Sequence, residues 1–148
     1  MITYVTGDLF DSDADAIAHG VNTYGFMNGG IAAQFKERFP LMYEEYGTRC
    51  QDEWFTGGDM MPYHLAGVDR WVYNLATQIP PGRNAKLTYT AASMHRMFEH
   101  AYENFVQSIA MPKIGCGIGG LEWPVVENII DDLTTAYECE IDIEVWSL

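Results

Sequence analysis

The sequence is short of basic residues. Eight lysines and arginines face 21 aspartates and glutamates over 148 residues, a formal charge of −13. Tight polyanion binding draws on lysines and arginines that displace counterions from phosphates. Here the cations are scattered singly from Lys36 to Lys113, so long nucleic acid is not the expected partner. Cysteine is scarce as well. Cys50, Cys116 and Cys139 are odd in number and match no zinc or redox spacing, so they read as reduced thiols of a cytoplasmic protein. No apolar run approaches the roughly 20 residues of a bilayer span, and the opening "MITYVTGDLF" has neither the basic nor the apolar region of a signal peptide. No membrane partner is expected. His19, His64, His95 and His100 lack metal-ligand spacing, and no Asp-rich or HExxH motif occurs. Neither a metal nor a cofactor is therefore expected. Repeats, linkers and low-complexity tracts are absent too, so one domain over 1–148 is expected.

What is present is an alternation of strands and helices. "ITYVT" (2–6) is β-branched and aromatic and stops at Gly7-Asp8, and the apolar run 14–21 follows as a buried strand. A helix is expected from Gly30 to Phe39, and a short one over 40–47, opened by proline and closed by Gly47. Residues 60–66 and 71–76 read as two strands about a turn at 67–70. The longest helical pattern, 87–108, places Met94, Phe98, Ala101, Tyr102 and Phe105 on one buried face. A strand over 108–114, a helix opened by Pro124 and an alternating strand over 141–148 complete the chain. The pattern predicts an α/β domain with a mixed sheet between helix layers. Trp54, Phe55 and Tyr63, in a loop-rich middle, read as core, with a partner surface as the other reading.

Ligands of α/β sheets bind beyond the carboxyl ends of strands, and three loops stand there. In "TGDLF" (6–10), Asp8 can accept from an exocyclic amine such as that of adenine, or simply cap a turn. In "GVNTYGFMNGGIA" (20–32), Gly29 and Gly30 let a phosphate approach a helix N-terminus. Asn22 there can orient a sugar hydroxyl or form an Asx-turn. The third loop, "MPKIGCGIGGLEW" (111–123), holds Gly115, Gly117, Gly119 and Gly120 within six residues. It is a poor dinucleotide fingerprint, being near the C-terminus. Its successive amides still suit an anion, which lets an acidic chain hold a diphosphate without a basic cluster. Cys116, with no histidine beside it, reads as packing and not as a nucleophile.

Taken together, "ITYVTGDLF", "DAIAHGVNTYGFMNGGIAAQFKERFP" and "MPKIGCGIGGLEW" resemble a macrodomain, the ADP-ribose-binding module, over nearly the whole chain. The nearest branch holds terminal ADP-ribose protein glycohydrolase and the antitoxin macrodomains that remove ADP-ribose from DNA. The resemblance implies a three-layer α/β/α fold with a central mixed sheet. It implies ADP-ribose, or a substrate carrying it, as partner, and ADP-ribosylated DNA stays within that class. Carried over, Asp8 would hold the adenine amine and Leu9 would touch the base. Asn22 would face the distal ribose, with Thr77 and Gln78 beside it. Gly29, Gly30, Ile31 and Ala32 would line the ribose and phosphate region. Ile114, Gly115, Cys116, Gly117, Ile118, Gly119, Gly120 and Leu121 would wrap the diphosphate.

Two departures bear on chemistry. The branch's nucleophilic lysine matches Gln78, whose amide cannot form a covalent sugar adduct. The acid/base aspartate of some members matches Gly119, and Lys86 lies eight residues beyond Gln78. The resemblance therefore implies ADP-ribose binding, with hydrolysis by a water that Asn22 and the substrate's own phosphate would orient. The alternatives are a reader without chemistry, and a phosphatase or deacetylase acting on ADP-ribose-1″-phosphate or O-acetyl-ADP-ribose.

Overall fold

The computed structural model describes residues 2–137 and 141–148. Six strands form one sheet: β1 (Ile2–Thr6), β2 (Ala16–Val21), β3 (Met60–Leu65), β4 (Arg70–Ala76), β5 (Ser108–Met111) and β6 (Asp142–Ser147). Their order is β1-β6-β5-β2-β4-β3, and every neighbouring pair is parallel except β3 with β4. Four helices pack on it: α1 (Gly30–Arg38), α2 (Pro40–Gln51), α3 (Leu87–Glu103) and α4 (Trp123–Ala136).

The period-two alternation of the strands makes the three layers. On one face Ala16, Ala18, Tyr73, Leu75, Ile109 and Ile143 meet Met94, Met97 and Phe98 of α3 and Val126 and Ile130 of α4. On the other, Ile17, Val21, Val72, Ala76 and Ala110 meet Phe35 of α1 and Met42 and Tyr46 of α2. The central strands β2 and β4 are covered on both sides and so read as apolar runs.

One polar pair is built into that second face. His19 is fully buried, stacked on Phe35 with 3.8 Å between ring centroids, and its Nε2 lies 2.7 Å from Asn74 Oδ1. The Asn74 amide nitrogen donates to the Met61 carbonyl, so its oxygen must accept. That fixes the proton of His19 on Nε2 and leaves Nδ1 without a partner among the described residues. Burial pushes the pKa of His19 down to about 4, against the smaller opposing pull of Asn74.

Several boundaries differ from expectation. Helix α2 runs through Gly47 to Gln51, because Met42 and Tyr46 keep one face buried and Gly47 meets no crowding. Helix α3 stops at Glu103, five residues early. Phe105 takes φ +59°, and the Val106 N–H closes on the Ala101 carbonyl at 2.9 Å. Tyr102 and Phe105 are consequently exposed, at 54% and 89%, and not on the buried face. Phe55 is core and Tyr63 packs against it, but Trp54 is exposed and lies under the Arg49 guanidinium. The turn Leu9–Asp11 is a 3-10 helix that the sequence pattern did not announce. Cys50 and Cys116 are free thiols, while Cys139 lies outside the described residues. Among the described residues no helix is long and apolar enough to cross a membrane, and no cluster suits a metal ion.

Candidate functional site

The carboxyl ends of β1, β2, β4 and β5 all open onto one cleft, as parallel strands dictate. It consists of two adjoining cavities of about 580 and 450 Å³, which share Ile31, Pro112, Lys113 and Gly117 as common walls.

The near end lies beyond β1. Asp8 Oδ1 accepts from the Phe10 N–H at 3.0 Å and caps the 3-10 turn, which leaves the other carboxylate oxygen for the cavity. Leu9 lines the same cavity from a buried position. The register of β1 on β6 brings Trp146 beside it. Gly7, at φ +150°, is needed there, since a Cβ would stand 3.2 Å from the Trp146 ring.

The middle is walled by backbone. The loop after β5 is closed by the Leu121 N–H on the Gly115 carbonyl, at 2.8 Å, and by the Cys116 N–H on the Lys113 carbonyl, at 3.1 Å. Gly117 faces open space in both cavities. Across from it stands the N-terminus of α1, where Gly29 caps without a side chain and leaves the first-turn N–H groups free for an anion. Ile118 reaches over, its Cδ1 3.5 Å from where a Cβ of Gly29 or Gly30 would stand. Cys116 packs against the core, and burial raises its thiol pKa, which favours the protonated form.

The far end is an assembly of committed amides. Asn22 is buried. Its Oδ1 accepts from the N–H groups of Tyr24 at 2.9 Å and Phe26 at 3.4 Å, and its Nδ2 donates to the Phe26 carbonyl at 2.8 Å. The Tyr46 hydroxyl points at both the Asn22 carbonyl, at 2.8 Å, and Oδ1, at 3.1 Å. Burial raises the pKa of that phenol, so it remains a donor. Asn22 thus holds the loop that follows β2, and one Nδ2 proton is left for a ligand. Gln78 Nε2 donates to the carbonyls of Pro80 and Gly82, both at 2.9 Å. The excursion 78–85 is pinned at its base by Lys86 N–H on the Thr77 carbonyl, at 2.9 Å, and by Ala85 N–H on the Gly119 carbonyl, at 3.2 Å. Gly119 is crowded accordingly: a Cβ would stand 2.7 Å from the Gly115 carbonyl oxygen and from Ala85 Cβ. Lys86 does not line the cleft, and its amine lies over the Tyr89 ring.

The structure brings nearly all the residues singled out from the sequence onto this cleft. Gly120 and Leu121 stand behind it: Gly120 faces Arg83, and Leu121 packs on the core. Asn28, Gln34, Lys113 and Trp146 line it without having been singled out. Lys113 was legible as the one cation abutting the glycine loop. Trp146 was not, because only the pairing of β1 with β6 brings it there.

The Macro domain family model matches residues 18–130. A DNA ADP-ribosyl glycohydrolase of Thermus aquaticus is 31% identical over 99% of this chain, and human ADP-ribose glycohydrolase OARD1 is 29% identical over 96% of it. The human protein is covered over 90% of its length, whereas the chain spans only 40% of the Thermus one. Among solved structures, the macrodomain of Mycobacterium tuberculosis DarG superposes with a TM-score of 0.90 at 31% identity, covering 100% of this chain and 98% of that one. The chain belongs to the Macro domain family.

Proposed function

We propose that this chain binds ADP-ribose, or the ADP-ribosyl end of a modified substrate, along the cleft. The observation that carries this reading is the order of polar groups. A free carboxylate oxygen of Asp8 stands at one end, a backbone-lined middle with unpaired helix N–H groups follows, and a free amide oxygen of Gln78 stands at the other. Acceptor, anion seat, acceptor is the complement of an amino-purine, a diphosphate and a sugar hydroxyl. The anion seat is built from neutral amides and one lysine, which suits a chain of charge −13. Isothermal calorimetry checks it: ADP-ribose should bind stoichiometrically, AMP more weakly, and an absence of heat with ADP-ribose overturns the reading.

Hydrolysis is the second reading, favoured by the 31% identity to a DNA ADP-ribosyl glycohydrolase. Among the described residues, Lys113 is the sole titratable side chain lining the far cavity, and it is shared with the middle. Cleavage would then rest on a water placed by the substrate's own phosphate, a gain of orientation and not of covalent chemistry. Release of ADP-ribose from ADP-ribosylated DNA or protein at stoichiometric enzyme distinguishes the two. A phosphatase or deacetylase would instead release phosphate or acetate from the corresponding ADP-ribose derivatives.

A further inference from the structure

Gln78 is more than a gap in the catalytic equipment. Its two amide protons are both spent on the carbonyls of Pro80 and Gly82, at 2.9 Å each. The flipped orientation would set its oxygen against two carbonyl oxygens, so the amide has one permitted setting. Oε1 therefore turns away from the 78–85 loop, toward Gly119, where a Cβ would come within 3.2 Å of it. It has no hydrogen-bond partner among the described residues, yet it is not among the buried atoms that lack one. It is thus open to the far cavity, which Gln78 and Gly119 both line. The residue as a whole is 9% exposed.

We propose that Gln78 is a specificity-determining residue whose fixed Oε1 accepts from a hydroxyl of the terminal sugar and turns away ligands bearing an anion there. This rests on the ADP-ribose reading above. An amide oxygen that cannot rotate offers nothing to a phosphate dianion but repulsion. An acceptor left unpaired by a ligand lacking the donor costs affinity by desolvation. The site is therefore tuned to a free terminal ADP-ribose and set against ADP-ribose-1″-phosphate. That makes the phosphatase reading the weakest of those the sequence left open.

Calorimetry with ADP, ADP-ribose and ADP-ribose-1″-phosphate on the wild type, Gln78→Met and Gln78→Lys tests this. In the wild type, ADP-ribose should bind roughly tenfold or more tightly than its 1″-phosphate. Gln78→Met should lose about tenfold for ADP-ribose and nothing for ADP. Gln78→Lys removes the acceptor and brings a cation, but its amine can also condense with the free sugar, so it is read on the 1″-phosphate alone, whose affinity should rise above the wild-type value. Equal wild-type affinity for ADP-ribose and its 1″-phosphate overturns the proposal while leaving the ADP-ribose reading intact. So does an equal loss for ADP and ADP-ribose in Gln78→Met, which would mark a loop-holding role alone. If neither ADP nor ADP-ribose binds the wild type, the ADP-ribose reading itself falls. The wild-type comparison needs no variant to fold.

Discussion

The two ends of the cleft use one device in two chemistries. At the near end Asp8 spends one oxygen on the Phe10 N–H and keeps one for the cavity. At the far end Gln78 spends its nitrogen on two carbonyls and keeps its oxygen. In both, a hydrogen bond to the chain's own loop fixes which atom faces the cleft, so that any ligand there meets a preset orientation. The ends differ in charge and in crowding. The Asp8 carboxylate stands beside a roomy cavity of about 580 Å³. The Gln78 amide faces a smaller cavity of about 450 Å³, and a side chain at Gly119 would come within 3.2 Å of its oxygen. In the proposed binding mode the first end meets the base with a full charge and the second meets the sugar with a fixed dipole.

The most direct way to break the comparison is to put a carboxylate at the far end. Gly119→Asp would force a Cβ to within 2.7 Å of the Gly115 carbonyl oxygen and of Ala85. Overpacking of this kind costs about 1–3 kcal/mol, and the added charge starts beside the Gly115 and Gln78 oxygens. ADP-ribose affinity should fall about a hundredfold or more, with a lowered Tm and no gain in hydrolysis. A variant that kept wild-type affinity and began to turn over would show that the far end is not shape-limited.

Acid should undo both ends together, because His19 lies in the sheet beneath them, against α1 and β4. Its folded pKa is about 4, below the ordinary 6.5. Between those values the unfolded chain takes up a proton that the folded chain refuses. The stability is therefore full above pH 6.5 and declines as pH falls toward 4, by about 3 kcal/mol in all. Urea melts at pH 7.5 and 4.5 measure it. A His19→Gln variant, though less stable throughout, should lose less stability between the two pH values, by most of that amount. An unchanged slope would mean that His19 does not govern the acid limb.

A smaller effect separates scaffold from chemistry at the far end. Asn22→Ala strands the N–H groups of Tyr24 and Phe26 and the carbonyl of Phe26. Stability should drop by about 2 kcal/mol, read as Tm, and ADP-ribose binding should weaken with it. Unchanged Tm with lost turnover would instead make Asn22 a group acting on substrate.

Periodicity placed every strand and helix of this sheet in the right order, because central strands covered on both faces read as plain apolar runs. It placed helix ends less well. The end of α3 depends on a left-handed Phe105, which no residue-type preference suggests, and α2 passes through a glycine because Met42 and Tyr46 before it and the partly buried Cys50 after it all sit against the core. The glycine loops and Asp8 stood out as loop chemistry at strand ends. Trp146 and the locked amide of Gln78 did not. The first depends on a pairing between the two ends of the chain, and the second on carbonyls whose direction only the folded loop defines.

The mildest perturbation tests the near end by reversing its polarity. In Asp8→Asn the side-chain oxygen is still claimed by the Phe10 N–H, since that cap needs an acceptor. The amide nitrogen is then what faces the base, so an acceptor becomes a donor without a change of shape. The wild type should prefer ADP-ribose over its hypoxanthine counterpart, which carries a carbonyl in place of the exocyclic amine, by roughly tenfold. Asp8→Asn should erase or reverse that preference while leaving Tm within a few degrees of wild type. Asp8→Ala removes the cap as well, so it should lose base preference and some stability at once. A preference that survives in all three proteins would locate base recognition in Leu9 and Trp146, and the two ends of the cleft would no longer share a device.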